Sequence, residues 1–248
     1  MKITPRARTG AVVAAVAAAL TLALITGCGS GAEAAASAPV ALSEKELTEL
    51  GLTGHDLEGF AVEVVQQDGS GTKDQAKPDR FCGPLAQVYK GGAVGTPAAE
   101  TVRVALRDPD LGADFKEALR VDVTSVNLAS YHGQGAQRTL RTVADAVEAC
   151  HEWVSRTARD RSSTGYTAVT PRKAVGAKGA DEAVAFSLSG KGPTPNSPTT
   201  SSVYCQVVRH GNNVAAYVTL NMGKMTDGTP YELDAAVVTA QSEKLSRG

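Results

Sequence analysis

Four cysteines and four histidines carry most of the reactive side chains of this 248-residue chain, so their spacing decides which chemistry is open to it. Cys150-His151, His55-Asp56 and His151-Glu152 are the only suggestive neighbours. A thiolate nucleophile needs a histidine partner and a lowered pKa. A metal needs ligands converging on one point, but adjacent residues of a helix point about 100° apart, so Cys150 and His151 do not share an ion without help from elsewhere. Asp108-Pro109-Asp110 and Asp114 form an acidic cluster without the alternating pattern and closing glutamate of a calcium loop, and read as a solvated turn. His210 reads as a turn residue, and Glu44, Glu46 and Glu49 as a charged helix face. No Gly-x-Ser-x-Gly elbow, phosphate loop or Gly-x-Gly-x-x-Gly turn occurs. The expectation is a binding or sensing module and not an enzyme, with no catalytic, cofactor or metal site.

Cys28 has a different setting. Lys2, Arg6 and Arg8 precede an apolar run from Ala11 to Ile25, the pattern of a secretory signal over residues 1–27 and too short for a spanning helix. Ile25-Thr26-Gly27-Cys28 resembles the lipobox of bacterial lipoproteins. That resemblance implies cleavage before Cys28 and alkylation of its thiol by diacylglycerol, with two or more acyl chains holding where one would not. Losing the three cations and no acid takes the formal net charge from −1 to −4. A mildly acidic, sign-mixed surface excludes a nucleic-acid partner. No second apolar run reaches spanning length, so the lipid is the expected membrane attachment, at the extracellular face. Residues 28–40 are small and nearly uncharged and read as a flexible tether.

The elements that would position any site begin at residue 41, with enough chain for one domain. Ser43 and Glu46 form a capping box, with Leu42 and Leu47 as its staple, and the helix ends at Gly51. Phe60, Val62 and Val64 alternate as a strand, and 67–80 reads as a loop. Pro84 opens a short helix from Gly83 to Tyr89. A strand follows over 101–107, with Val102, Val104 and Leu106 on one face. Another spans 119–131, where the apolar phase slips and predicts a bulge or a bend. Ala136, Leu140, Val143, Val147, Cys150 and Val154 recur at helical spacing, predicting one helix from about Ala136 to Arg156 with Cys150 facing the core. Ala183 to Leu188 is strand-like, and residues 190–202 form a solvated loop. Val203–Arg209 and Val214–Met222 form a hairpin turned by Gly211 and Asn212. Thr229 caps a final helix starting at Pro230. This irregular mixture points to an α+β fold, a single domain with a mainly antiparallel sheet packed with helices.

Phe81-Cys82-Gly83-Pro84, Ala149-Cys150, Gly179-Ala180-Asp181-Glu182-Ala183-Val184, Tyr204-Cys205-Gln206 and Arg209…Asn212-Asn213-Val214 occur in this order between a capped N-terminal helix and a closing one. In this the chain resembles the PknH-like extracellular sensor domains of actinobacteria, found on receptor kinases and as free-standing lipoproteins. The resemblance implies a compact fold with a curved antiparallel sheet and a cleft for an unidentified extracellular ligand. It also implies two disulfides from four cysteines, but here Met222 stands where the fourth is expected. Three cysteines besides Cys28 cannot all pair in one chain. The resemblance favours Cys82–Cys150 with Cys205 free and buried, and Cys150–Cys205 remains the rival. The implied function is a membrane-anchored extracellular lipoprotein that binds a small ligand or an envelope protein. A carrier of lipid or cell-wall material, an envelope hydrolase and an interaction scaffold are the alternatives.

Overall fold

The computed structural model describes residues 40–65, 81–107, 118–156, 163–191 and 200–247. The signal region, Cys28, the tether, the acidic cluster and the predicted loop at 67–80 lie outside the described residues. Ser43 caps α1 (Glu44–Glu49): its hydroxyl accepts from the Glu46 N–H while the Glu46 carboxylate accepts from the Ser43 N–H at 2.8 Å. Both halves of the capping box are therefore made, and Leu47 is wholly buried. Pro84 opens α2 (Gly83–Tyr89), where its missing N–H costs nothing.

Eight strands form one curved sheet: β1 (Phe60–Val65), β2 (Ala99–Arg107), β3 (Val123–Ser130), β4 (Trp153–Arg156), β5 (Ser163–Arg172), β6 (Glu182–Lys191), β7 (Thr200–His210) and β8 (Asn213–Leu220). Their order is β1-β2-β3-β8-β7-β6-β5-β4, every neighbour antiparallel. A three-stranded and a five-stranded meander thus meet at β3 and β8. The β7–β8 hairpin closes on Gly211 and Asn212, with Gly211 at φ +58, a conformation that favours glycine. The chain is an α+β domain with helices against an antiparallel sheet.

Alternation of side chains sorts the core into two layers. Ala129, Phe186, Leu188, Val203, Cys205, Val207, Val214, Ala216 and Val218 face α2 and α3 (Gly135–Ala149). Ala105, Val126, Leu128, Val208, Ala215 and Tyr217 face α1 and α5 (Ala235–Leu245). Helices therefore lie on both faces, and strands such as β8 are buried on both sides.

Four sequence expectations need correction. The long helix stops at Ala149, and Cys150 is an extended cap. Beyond it Trp153 and Val154, aromatic and β-branched, join the sheet edge as β4 opposite β5. The bulge predicted near Val126 is absent, because β3 starts only at Val123 and keeps unbroken register with β2 and β8. On β2 it is Arg103 and Ala105 that are buried beside Val102. The Arg103 guanidinium, 3 % exposed, donates to the Thr48 carbonyl at the end of α1, and a Cβ on Gly51 would sit 2.9 Å from it. The closing helix starts at Ala235, where Asp234 and not Thr229 supplies the cap. Before it, α4 (Met222–Asp227) is a helix that the sequence reading missed.

Candidate functional site

Two concavities occupy opposite faces of the sheet. The larger, about 760 Å³, lies between α2 and α3. Gln87 and Lys90 sit one turn apart on α2, and Arg138 and Thr142 one turn apart on α3, so each helix presents a polar ridge to the groove. At its base the Tyr131 hydroxyl donates to the Val94 carbonyl at 2.7 Å, and the Thr139 hydroxyl reaches the same oxygen at 3.3 Å. Burial pushes the Tyr131 phenol up to about 12, so it is a fixed neutral donor and not a base. The lining holds two cations, Lys90 and Arg138, and no carboxylate. These polar and charged side chains share the lining with the apolar Pro84, Ala86 and Val94.

The second concavity, about 250 Å³, opens where β5, β6 and β7 meet the segment preceding α5. Arg172, Lys173, Tyr204 and Glu232 line it with Val175 and Leu233. Its walls are fixed by two devices. The wholly buried Gln206 amide bonds both the N–H and the carbonyl of Val175, at 2.9 and 2.8 Å. Beside the cavity, the Tyr231 ring meets the lining residue Tyr204 edge-on at 5.1 Å, and its hydroxyl donates to the Ser202 carbonyl.

The residues singled out from the sequence do not converge on either concavity as a catalytic group. Cys82 and Cys150 form a disulfide that ties the start of α2 to the end of α3, so the pair frames the groove rather than reacting in it. Cys205 is free and buried, and burial pushes its thiol well up from its ordinary value, the opposite of an activated nucleophile. It stands opposite Val218 on β8, whereas Met222 begins α4 with half its surface exposed. His55, His132 and His151 are exposed on separate segments. His210 is buried at the hairpin turn, 3.4 Å from the Ser246 hydroxyl. Asp56, beside His55, instead accepts from Lys244 at 2.8 Å. Among the described residues no cluster of three or more His, Cys, Asp or Glu could hold a metal ion.

The family resemblance implies a cleft, but sequence reasoning assigned no residue to the lining of either concavity. For the groove a signal exists in the spacing: Arg138 lies off the Ala136–Val147 stripe of α3, and Gln87 and the C-cap Lys90 fall one turn apart at the end of α2. Nothing local marked Arg172 or Glu232, which are brought together from chain segments 60 residues apart.

No protein-family model matches the sequence, and no curated protein matches it. Among solved structures, the extracellular domain of PknH from Mycobacterium tuberculosis aligns with a TM-score of 0.50 at 11% identity, over 84% of this chain and 99% of that one. The two share a fold. No helix among the described residues is long and apolar enough to cross a membrane.

Proposed function

We propose that this chain is a lipid-anchored extracellular lipoprotein whose single domain, residues 41–248, binds or senses a ligand without turning it over. The observation that carries the reading is the 760 Å³ groove between α2 and α3, set on a fold shared with a kinase's extracellular domain. A groove framed by a disulfide and rimmed by Lys90 and Arg138 suits a polar ligand of the extracellular space, where disulfides persist. The buried thiol of Cys205 and the scattered histidines support binding rather than catalysis. In this reading residues 1–27 are a cleaved signal, Cys28 carries the acyl chains, and residues 28–40 hold the domain off the membrane.

Intact-mass and non-reducing peptide mass spectrometry of the membrane-extracted protein tests it. A diacylglyceryl mass on an N-terminal Cys28, with release from the membrane fraction in Cys28→Ser, is the expected result. An unmodified N-terminus overturns the anchor, and a lipid retained by the folded domain transfers the reading to a carrier.

A further inference from the structure

The smaller cavity gathers three solvent-exposed charged side chains, Arg172, Lys173 and Glu232, on its rim. Arg172 is held in place from two sides: its Nε donates to the wholly buried Ser187 hydroxyl at 3.0 Å, and its guanidinium carbon lies 5.6 Å over the Tyr204 ring. Among the described residues nothing accepts from its terminal guanidinium nitrogens. Arg107, Arg120, Arg209 and Arg247 are each paired with a carboxylate, whereas Arg172, like Arg103, Arg138 and Arg141, has none among the described residues. Lys173 and Glu232 line the same cavity, yet neither forms an ion pair with any described residue. Among the described residues, then, two cations and a carboxylate line one small cavity without an ion pair between them, beside a wall that Gln206 fixes through Val175.

We infer that this cavity binds a small α-amino acid as its zwitterion. A pre-oriented guanidinium with two free nitrogens matches a carboxylate in a bidentate fork, and Lys173 adds charge on that side. Glu232 then receives the ammonium. A ligand carrying both charges meets an opposite one at each end, whereas a simple anion or a simple amine engages only one side of the cavity. The aliphatic Val175 and Leu233 remain for the side chain. The volume, about 250 Å³, falls below the roughly 300–1,000 Å³ of sites for drug-sized ligands and suits one residue rather than a peptide. This site is separate from the α2–α3 groove and holds whether or not Cys28 is acylated.

Isothermal titration of the detergent-extracted full-length protein with each of the standard L-amino acids tests the assignment. The best binder is then compared with its decarboxylated amine and its deaminated acid. At least one amino acid binds, and each analogue loses about tenfold or more in affinity, the scale of one lost charged contact. Glu232→Gln, at an exposed position, lowers affinity for the amino acid by a similar factor while leaving the deaminated acid unaffected. Arg172→Lys, which keeps the charge but loses the fork, weakens the amino acid and the deaminated acid alike. Should no amino acid bind, should either analogue bind as well as its parent, or should Glu232→Gln bind like the native protein, the assignment falls.

Discussion

On one face of the sheet α2 and α3 are tied by the Cys82–Cys150 bridge and pack through Leu85, Val88, Leu140, Val143 and Val147. On the other face α1 and α5 are locked by directional polar contacts. Gln241 bonds the Leu52 N–H at 3.2 Å and the Leu50 carbonyl at 2.8 Å, and Lys244 donates to the Gly51 carbonyl and to Asp56. Arg107 meets Asp234 at 2.8 Å, with the Asp234 side chain 1% exposed and capping α5. The difference shows two ways to hold a helix on a sheet. The stapled layer depends on covalent closure and burial, so it answers to redox conditions. The polar layer depends on matched donors and acceptors, so it answers to single substitutions and to pH.

Opening the staple should have the largest effect. The bridge spans 68 residues, and in the chain-entropy model its loss in Cys82→Ala/Cys150→Ala costs about 4 kcal/mol. Denaturant unfolding measures the loss, and hydrogen exchange should locate it in α2 and α3 while α5 stays protected. Equal loosening of both faces would show that the two layers are one cooperative unit.

A smaller effect is expected in the polar layer. Asp234→Ala removes the α5 cap and the partner of Arg107, for about 2 kcal/mol, because the half-exposed Arg107 can turn to water. Its exchange signature should be the reverse, with α5 opened and α2 unchanged. The smallest effect comes from pH. Burial holds the His210 imidazole below its ordinary value, beside Ser246 at the end of α5. The unfolded chain therefore binds the extra proton, so this contribution is complete above about pH 6.5 and is lost as the pH falls. Thermal midpoints taken from about pH 7.5 down to 5.5 should decline in the native protein and flatten in His210→Gln.

Much of the local architecture is legible in the sequence because it rests on neighbours a few residues apart. The Ser43–Glu46 capping box, Pro84 at the start of α2, the apolar stripe from Ala136 to Val147 and the Gly211-Asn212 turn all involve such short separations. The same local logic fails where the period continues past its element. Cys150 and Val154 extend the helical stripe on paper, but pairing with β5 draws Val154 into the sheet. Thr229 and Pro230 look like a helix start, but the buried Asp234 is the better cap because it also neutralises Arg107.

By itself the sequence determined the alternation of strands and helices, the α+β class and the caps and turns, since periodicity and capping are written within about one turn of chain. Only the tertiary structure decided that β3 pairs with β8, that Cys150 joins Cys82 while Cys205 stays free, that Arg103 is buried, and that Arg172 and Glu232 line one cavity. The physical reason is separation along the chain. Each of these contacts joins segments tens of residues apart, and which segments meet depends on burying two sheet faces at once, which no local window of sequence records.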